Sequence, residues 1–166
     1  MISKGHVIAL CSVAQGGFAY ESAKAVASAA DWELVDDERE LGFLRFSIEI
    51  LSGEERRALV VVFNPKEKAP FAFIPLFCFP AEANQFADFN SAFQSVAKDL
   101  DHILGKASCS GDYQYPHREW RYSHCWWSLP EAEVVLVQDE FDIQNGLDVT
   151  LWIRSAGTPV KMPVRP

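Results

Sequence analysis

Four side chains that can bind a metal ion, or act as nucleophile and base, lie close together in the sequence. They are Cys109, His117, His124 and Cys125. Zinc sites usually draw paired ligands about two to four residues apart, whereas His124 and Cys125 are adjacent. Adjacent side chains of a strand point to opposite faces of the sheet, so these two could not bind one ion together. We therefore expect no metal site, and no pattern in the chain predicts a cofactor.

The same residues leave open a thiol enzyme. Cys125 or Cys109 would be the nucleophile, His117 or His124 the general base, and Asp139 the residue that orients the base. No sequence signature of a known thiol hydrolase surrounds either cysteine. The sequence therefore favours a protein without catalytic activity, with a hydrolase that uses a Cys/His pair as an alternative.

The N-terminal segment has the layout of a phosphate-binding loop, with an apolar run, two glycines and then a helix. The glycines, Gly16 and Gly17, are not followed by the Lys-Ser/Thr pair of such loops, and a third glycine of the dinucleotide fingerprint is missing. We expect no nucleotide site here. The apolar run at 6–14 fits a helix, a buried strand or a signal-like segment, and its periodicity does not decide between them.

Length and charge narrow the class of protein. A chain of 166 residues predicts one domain, which we place at 1–156, followed by a proline-rich extended tail at 157–166. The net charge of −8 predicts repulsion from nucleic acid and from anionic membranes, and favours a basic protein as partner. Few, widely spaced cysteines predict a reducing, cytoplasmic location.

Hydrophobic periodicity predicts an α+β fold with a largely antiparallel sheet of about six strands. Apolar residues alternate with polar ones at 43–51, whereas they recur at steps of three and four along 81–104. The predicted strands are 43–51, 58–63, 71–79, 119–127, 133–143 and 147–154. A long helix at 81–104 packs on one face of the sheet, and a shorter N-terminal helix covers 20–32. Pro75 indicates a bulge or a sheet edge within its strand.

Burial predicts the register of the last hairpin. A three-residue loop at 144–146 places Ile143 opposite Leu147 and Val137 opposite Ile153, so that apolar side chains share one face. Gly146 would adopt the left-handed conformation that such a loop requires.

This register would make Asp142 and Asp148 cross-strand neighbours on the outer face, near Glu140. Like charges that oppose each other are destabilising, and a positively charged partner or a cation would relieve them. A well-solvated hairpin tip is the alternative. Asp139 would point inward, where a carboxylate needs a partner, a bulge or the end of the sheet. Trp152 is either an exposed anchor beside the acids or a core residue that the tail or the N-terminal segment covers.

The order of the predicted elements resembles that of the small acidic dimeric chaperones of specialised bacterial secretion. The segments 20–32, 43–79, 81–104 and 119–154 carry this likeness, although those chaperones usually close with another helix. In general character the chain also looks like an immunity protein, because such proteins are commonly small, acidic, cytosolic and free of catalytic motifs. We therefore expect a non-enzymatic inhibitor of a basic partner such as a toxin domain. The residues expected to bind that partner are Asp139, Glu140, Asp142, Asp148 and Trp152.

Overall fold

A computed structural model describes residues 1–61, 70–80, 85–140, 146–159 and 161–162 of the chain. Within them lie three α-helices, one short 3-10 helix and eight strands. The helices are α1 (Lys4–Gln15), α2 (Tyr20–Ala29) and α3 (Phe86–Leu104), and the 3-10 helix is Arg39–Leu41. The strands are β1 (Glu33–Glu38), β2 (Phe43–Leu51), β3 (Glu54–Val61), β4 (Phe71–Phe79), β5 (Cys109–Tyr113), β6 (Tyr122–Ser128), β7 (Ala132–Asp139) and β8 (Leu147–Ser155).

The strands form one antiparallel sheet in the order β1-β2-β3-β4-β8-β7-β6-β5. Each half of the chain contributes a meander of four consecutive strands, and the two meanders join through β4 and β8. The predicted α+β class with a largely antiparallel sheet is confirmed. The described part has more strands than the six expected, because the two edge strands β1 and β5 were not predicted.

The helices pack on one face of the sheet and form the main core with it. In α3 the predicted apolar stripe is confirmed, since Phe89, Phe93, Val96 and Leu100 are buried. The residues of 81–84, where the predicted helix begins, lie outside the described residues. The stripe recurs every three or four residues, so burying it requires the helix to lie along the sheet.

The N-terminal apolar run is a helix. Along α1 the buried side chains are Val7, Leu10, Cys11, Val13 and Ala14. Their packing against the sheet selects a helix where periodicity alone could not. The backbone N–H of Ile2 donates to the Asp99 carboxylate at 2.9 Å, which ties the start of the chain to α3.

The β-bulge predicted at Pro75 is present in β4. The register of β4 against β8 shifts between Pro75 and Phe77. Because β4 lies between β3 and β8 in the sheet, the bulge accommodates a proline in an interior strand.

The predicted register of the last hairpin is wrong. Val137 lies opposite Thr150, and Ile153 lies opposite Val134 instead of Val137. All eight residues of β7 are buried, so both faces of this strand are covered and burial does not select one register over the next. The predicted partners within 141–145 lie outside the described residues. Gly146 does have the positive φ that was predicted, at +111°.

Candidate functional site

The three described acidic residues that were expected to bind the partner are buried. Relative exposure is 2% for Asp139, 7% for Glu140 and 8% for Asp148. The prediction of a solvent-facing acidic hairpin is therefore wrong for Glu140 and Asp148, whereas Asp139 is buried, as its predicted inward orientation requires. Asp142 lies outside the described residues. The like-charge pair that was predicted for Asp142 and Asp148 is instead formed by Asp139, which lies directly opposite Asp148.

Trp152 is a core residue, which was one of the two predicted alternatives. The other alternative, an exposed anchor for the partner, is wrong. Its relative exposure is 1%. Its ring lies 5.2 Å from that of Phe71 and 4.6 Å from that of Phe73 on β4. Met162, from the predicted tail, packs against the same cluster. The helix-free face of the sheet thus has a small apolar core of its own.

Glu140 is the centre of a polar cluster at the end of β7. Its Oε1 lies 2.6 Å from Nε2 of His117, and its Oε2 accepts hydrogen bonds from Nε of Arg118 at 2.5 Å and from the Tyr122 hydroxyl at 2.8 Å. His117 and Arg118 come from the connection between β5 and β6, and Tyr122 begins β6. The carboxylate therefore joins the end of β7 to the start of β6 and to the loop that precedes β6.

The electrostatics of this cluster keep Glu140 charged. Burial by itself would raise the pKa of the Glu140 carboxyl, but hydrogen bonds from Tyr122, His117 and Arg118 outweigh it and lower the pKa below its ordinary value. The pKa of Tyr122 is raised to about 12, first by burial and then by its bond to Glu140, so the hydroxyl stays a neutral donor. Because three groups already occupy its oxygens, this carboxylate stabilises the fold and is poorly placed for acid-base catalysis.

Asp139 has the partners that an inward carboxylate was predicted to need. Its Oδ1 accepts from the Tyr115 hydroxyl at 2.7 Å and from the backbone N–H of Glu140 at 2.7 Å. On the other side of the pair, Asp148 hydrogen-bonds Cys78. Burial and then this bond raise the pKa of the Cys78 thiol to about 11.

Cys125 lacks the lowered thiol pKa of an activated nucleophile. Burial raises the pKa of the Cys125 thiol to about 11, and the charge of Asp101 adds to the effect. Burial also lowers the pKa of His124. His124 and Cys125 are adjacent residues of β6, so their side chains point to opposite faces of the sheet. Within the described residues, no group of three or more His, Cys, Asp and Glu could hold a metal ion.

An acidic surface that was not predicted from the sequence lies at the edge of the sheet formed by β1. The segment 33–40 contains five acidic residues, Glu33, Asp36, Asp37, Glu38 and Glu40. Asp36 is paired with Arg45, and Asp37 with Lys24 and the Tyr20 hydroxyl. The other three are exposed, and none of them forms an ion pair within the part of the chain that the structure describes.

Apolar side chains are interspersed with these acids. Leu34, Val35 and Leu41 are 38%, 37% and 62% exposed, and they are three of the five large apolar residues exposed in the described ranges. We call the surface formed by Glu33, Leu34, Val35, Glu38, Glu40 and Leu41 the acidic edge. The run of acids at 33–40 is the sequence signal for this surface. The strand itself has no alternating apolar residues, so hydrophobic periodicity does not predict it.

Comparisons with known proteins add no identity. No protein-family model, no curated protein and no solved structure matches the chain. Among the described helices, none has the length and apolar character needed to cross a membrane. Within the described residues, the acidic edge combines exposed carboxylates with three of the five large apolar side chains that are exposed.

Proposed function

We propose that the chain is a non-enzymatic binding protein that neutralises a basic protein partner, in the manner of a bacterial immunity protein that blocks a toxin domain in the cytoplasm. The observation that carries this proposal is the acidic edge. It replaces the buried acids Asp139, Glu140 and Asp148 as the surface for the partner.

Charge supports the choice of a basic partner. The chain has a net charge of −8, and Glu33, Glu38 and Glu40 place three acids on one exposed edge. Clustered exposed charge of one sign speeds the encounter with a partner of the opposite sign and disfavours partners of the same sign. The buried acids Asp139, Glu140 and Asp148 cannot attract a partner in this way, because they are hydrogen-bonded to neighbouring groups inside the protein.

The exposed apolar side chains of the acidic edge support a protein as the partner. Leu34, Val35 and Leu41 can be buried when a second protein covers the edge, and such desolvated apolar contacts surrounded by polar groups are typical of the centre of an interface.

The alternatives have less support. A thiol hydrolase would need a reactive thiolate, whereas the pKa of Cys125 is about 11. A chaperone-like dimer that pairs through β1 would set the acids of one copy against those of the other.

The test is an affinity capture from native lysate at low and moderate salt, with three forms of the chain. These are the parent, Glu38→Lys plus Glu40→Lys, and Asp88→Lys plus Glu119→Lys, which changes the net charge equally at exposed positions elsewhere. We expect one basic protein in stoichiometric amount with the parent and with the control variant. Its dissociation constant, measured with the purified partner, should rise about tenfold or more for the edge variant. Equal losses for both variants, or capture of no basic protein at either salt, would contradict the proposal.

A further inference from the structure

The acidic edge also lies at an edge of the β-sheet. β1 is the terminal strand of the sheet, and within the described residues it pairs with β2 alone. One side of β1 therefore presents N–H and C=O groups that a further strand can bond. Its register against β2 shifts between Leu34 and Asp36, and from Asp36 to Glu38 it is regular.

The side chains of β1 disfavour a second copy of the chain as that strand. Two β1 strands brought edge to edge would oppose acid to acid, because four of the six β1 residues are acidic, namely Glu33, Asp36, Asp37 and Glu38. Like charges opposite each other are destabilising, so the edge is protected against self-association and open to a strand of the opposite charge.

The alternation of β1 sets the pattern of such a strand. Asp36 and Glu38 are two residues apart and point to the same face, opposite to that of Asp37. A neighbouring strand would place alternate residues beside Asp36 and Glu38. Lysine or arginine at those positions would meet the exposed carboxylate of Glu38, and that of Asp36 beside its ion pair with Arg45, while the residues between them would lie on the face that bears Leu34.

We propose that the partner adds an extended basic segment, with Lys or Arg at alternate positions, as a further strand beside β1. This inference rests on the proposed function and names how the acidic edge is used. Main-chain hydrogen bonds would supply a sequence-independent part of the affinity, and the alternating charges would supply the specificity.

The test uses two labelled synthetic peptides of about eight residues, the usual length range of a strand. In one, Lys alternates with Val, and in the other Lys alternates with Pro. Both have the same charge and nearly the same length when extended, but the second lacks every other backbone N–H and its proline rings hold φ at about −65°, so it pairs less well as a strand. Fluorescence anisotropy at low salt gives the affinities, and hydrogen exchange followed by mass spectrometry reports on 33–38.

We expect the Lys-Val peptide to bind about tenfold more tightly than the Lys-Pro peptide and to slow exchange in 33–38. Equal affinities that both fall with Glu38→Lys plus Glu40→Lys, without slower exchange, would overturn strand addition and leave the acidic edge as a binding surface. Binding of neither peptide, or binding that this variant does not change, would overturn the proposed function as well. Circular dichroism of the variant checks that it is folded.

Discussion

Tyr122 and Glu140 are joined by a hydrogen bond of 2.8 Å between the buried Tyr122 hydroxyl and Oε2 of the carboxylate. Arg118 donates to the same oxygen at 2.5 Å, and His117 lies 2.6 Å from the other. One acidic side chain thus ties the end of β7 to the start of β6 and to the loop that precedes it. A residue predicted to steer a partner instead holds the fold together.

The first prediction concerns the stability that Glu140 provides. Glu140→Gln keeps the shape of the side chain but removes its charge, so we expect the free energy of unfolding to fall by about 1–3 kcal/mol. Urea denaturation at neutral pH measures it. Glu119→Gln, at an exposed position of the same loop, should change stability by less than about 0.5 kcal/mol. Equal effects of the two substitutions would show that the cluster around Glu140 adds nothing to the free energy of unfolding.

The second prediction is the pH dependence of the same cluster. The pKa of Glu140 in the folded protein lies below its ordinary value of 4.5, so the unfolded chain takes up this proton first as the pH falls. The contribution of Glu140 is therefore fully present above about pH 4.5 and is lost as the pH falls through the folded-state pKa. We expect the stability of Glu140→Gln to fall less steeply than that of the parent below about pH 4.5. Parallel curves for the two proteins would contradict the assignment.

The third prediction concerns Gly146, at the start of β8. Its φ is +111°, and a Cβ placed there would lie 2.0 Å from the carbonyl oxygen of Phe79. Since backbone atoms cannot move aside cheaply, Gly146→Ala should destabilise the protein by more than about 3 kcal/mol. Gly157→Ala is the matched control, because Gly157 has a φ of +73° with open space around it, and should cost about 1–2 kcal/mol. Similar midpoints in thermal denaturation would mean that the close approach to Phe79 is absent.

The fourth prediction separates the core role of Trp152 from the binding role first assigned to it. Trp152→Ala should lower the free energy of unfolding by about 3–5 kcal/mol, because it empties the cluster formed with Phe71 and Phe73. Leu41→Ala, on the acidic edge, should leave stability within about 0.5 kcal/mol and weaken partner binding. Denaturation and titration of both variants distinguish the roles. If Trp152→Ala were as stable as the parent but no longer bound the partner, Trp152 would be a partner-binding residue, as first predicted.

The fifth prediction tests the thiol alternative. With a pKa of about 11, Cys125 has almost no thiolate at neutral pH, whereas Cys109 is exposed. We expect iodoacetamide to modify Cys109 well before Cys125 and to leave the buried Cys11 until the protein unfolds. Mass spectrometry of the labelled peptides follows each site. Rapid modification of Cys125 ahead of Cys109 would point to an activated nucleophile and favour the hydrolase.

Most of the regular elements followed from local patterns. The strand predicted at 43–51 coincides with β2, and the stripe that predicts a long helix is buried in α3. Both patterns are properties of a single segment, since the period of the side chains follows from the geometry of its backbone. The two edge strands were not predicted, because they lack a local pattern of this kind. β1 is acidic and β5 is short, exposed and contains Gly111, so neither has an apolar face to give a signal.

The candidate site depended on relations that no local pattern contains. The register was predicted on the premise of one exposed face, but β7 is buried on both faces, and Glu140 and Asp148, which were expected in solvent, lie inside the protein. The covering of that face depends on packing between distant segments, such as Met162 against the cluster of Trp152.

By itself the sequence determined the α+β class, the amphipathic helix and the acidity of the chain, because periodicity and net charge depend only on the order and kind of residues. Only the tertiary structure decided which acids are exposed. Whether a carboxylate at a given position meets water or a hydrogen-bond donor depends on the segments packed around it. Tertiary packing therefore left Glu38 and Glu40 at the surface and placed Asp139, Glu140 and Asp148 inside.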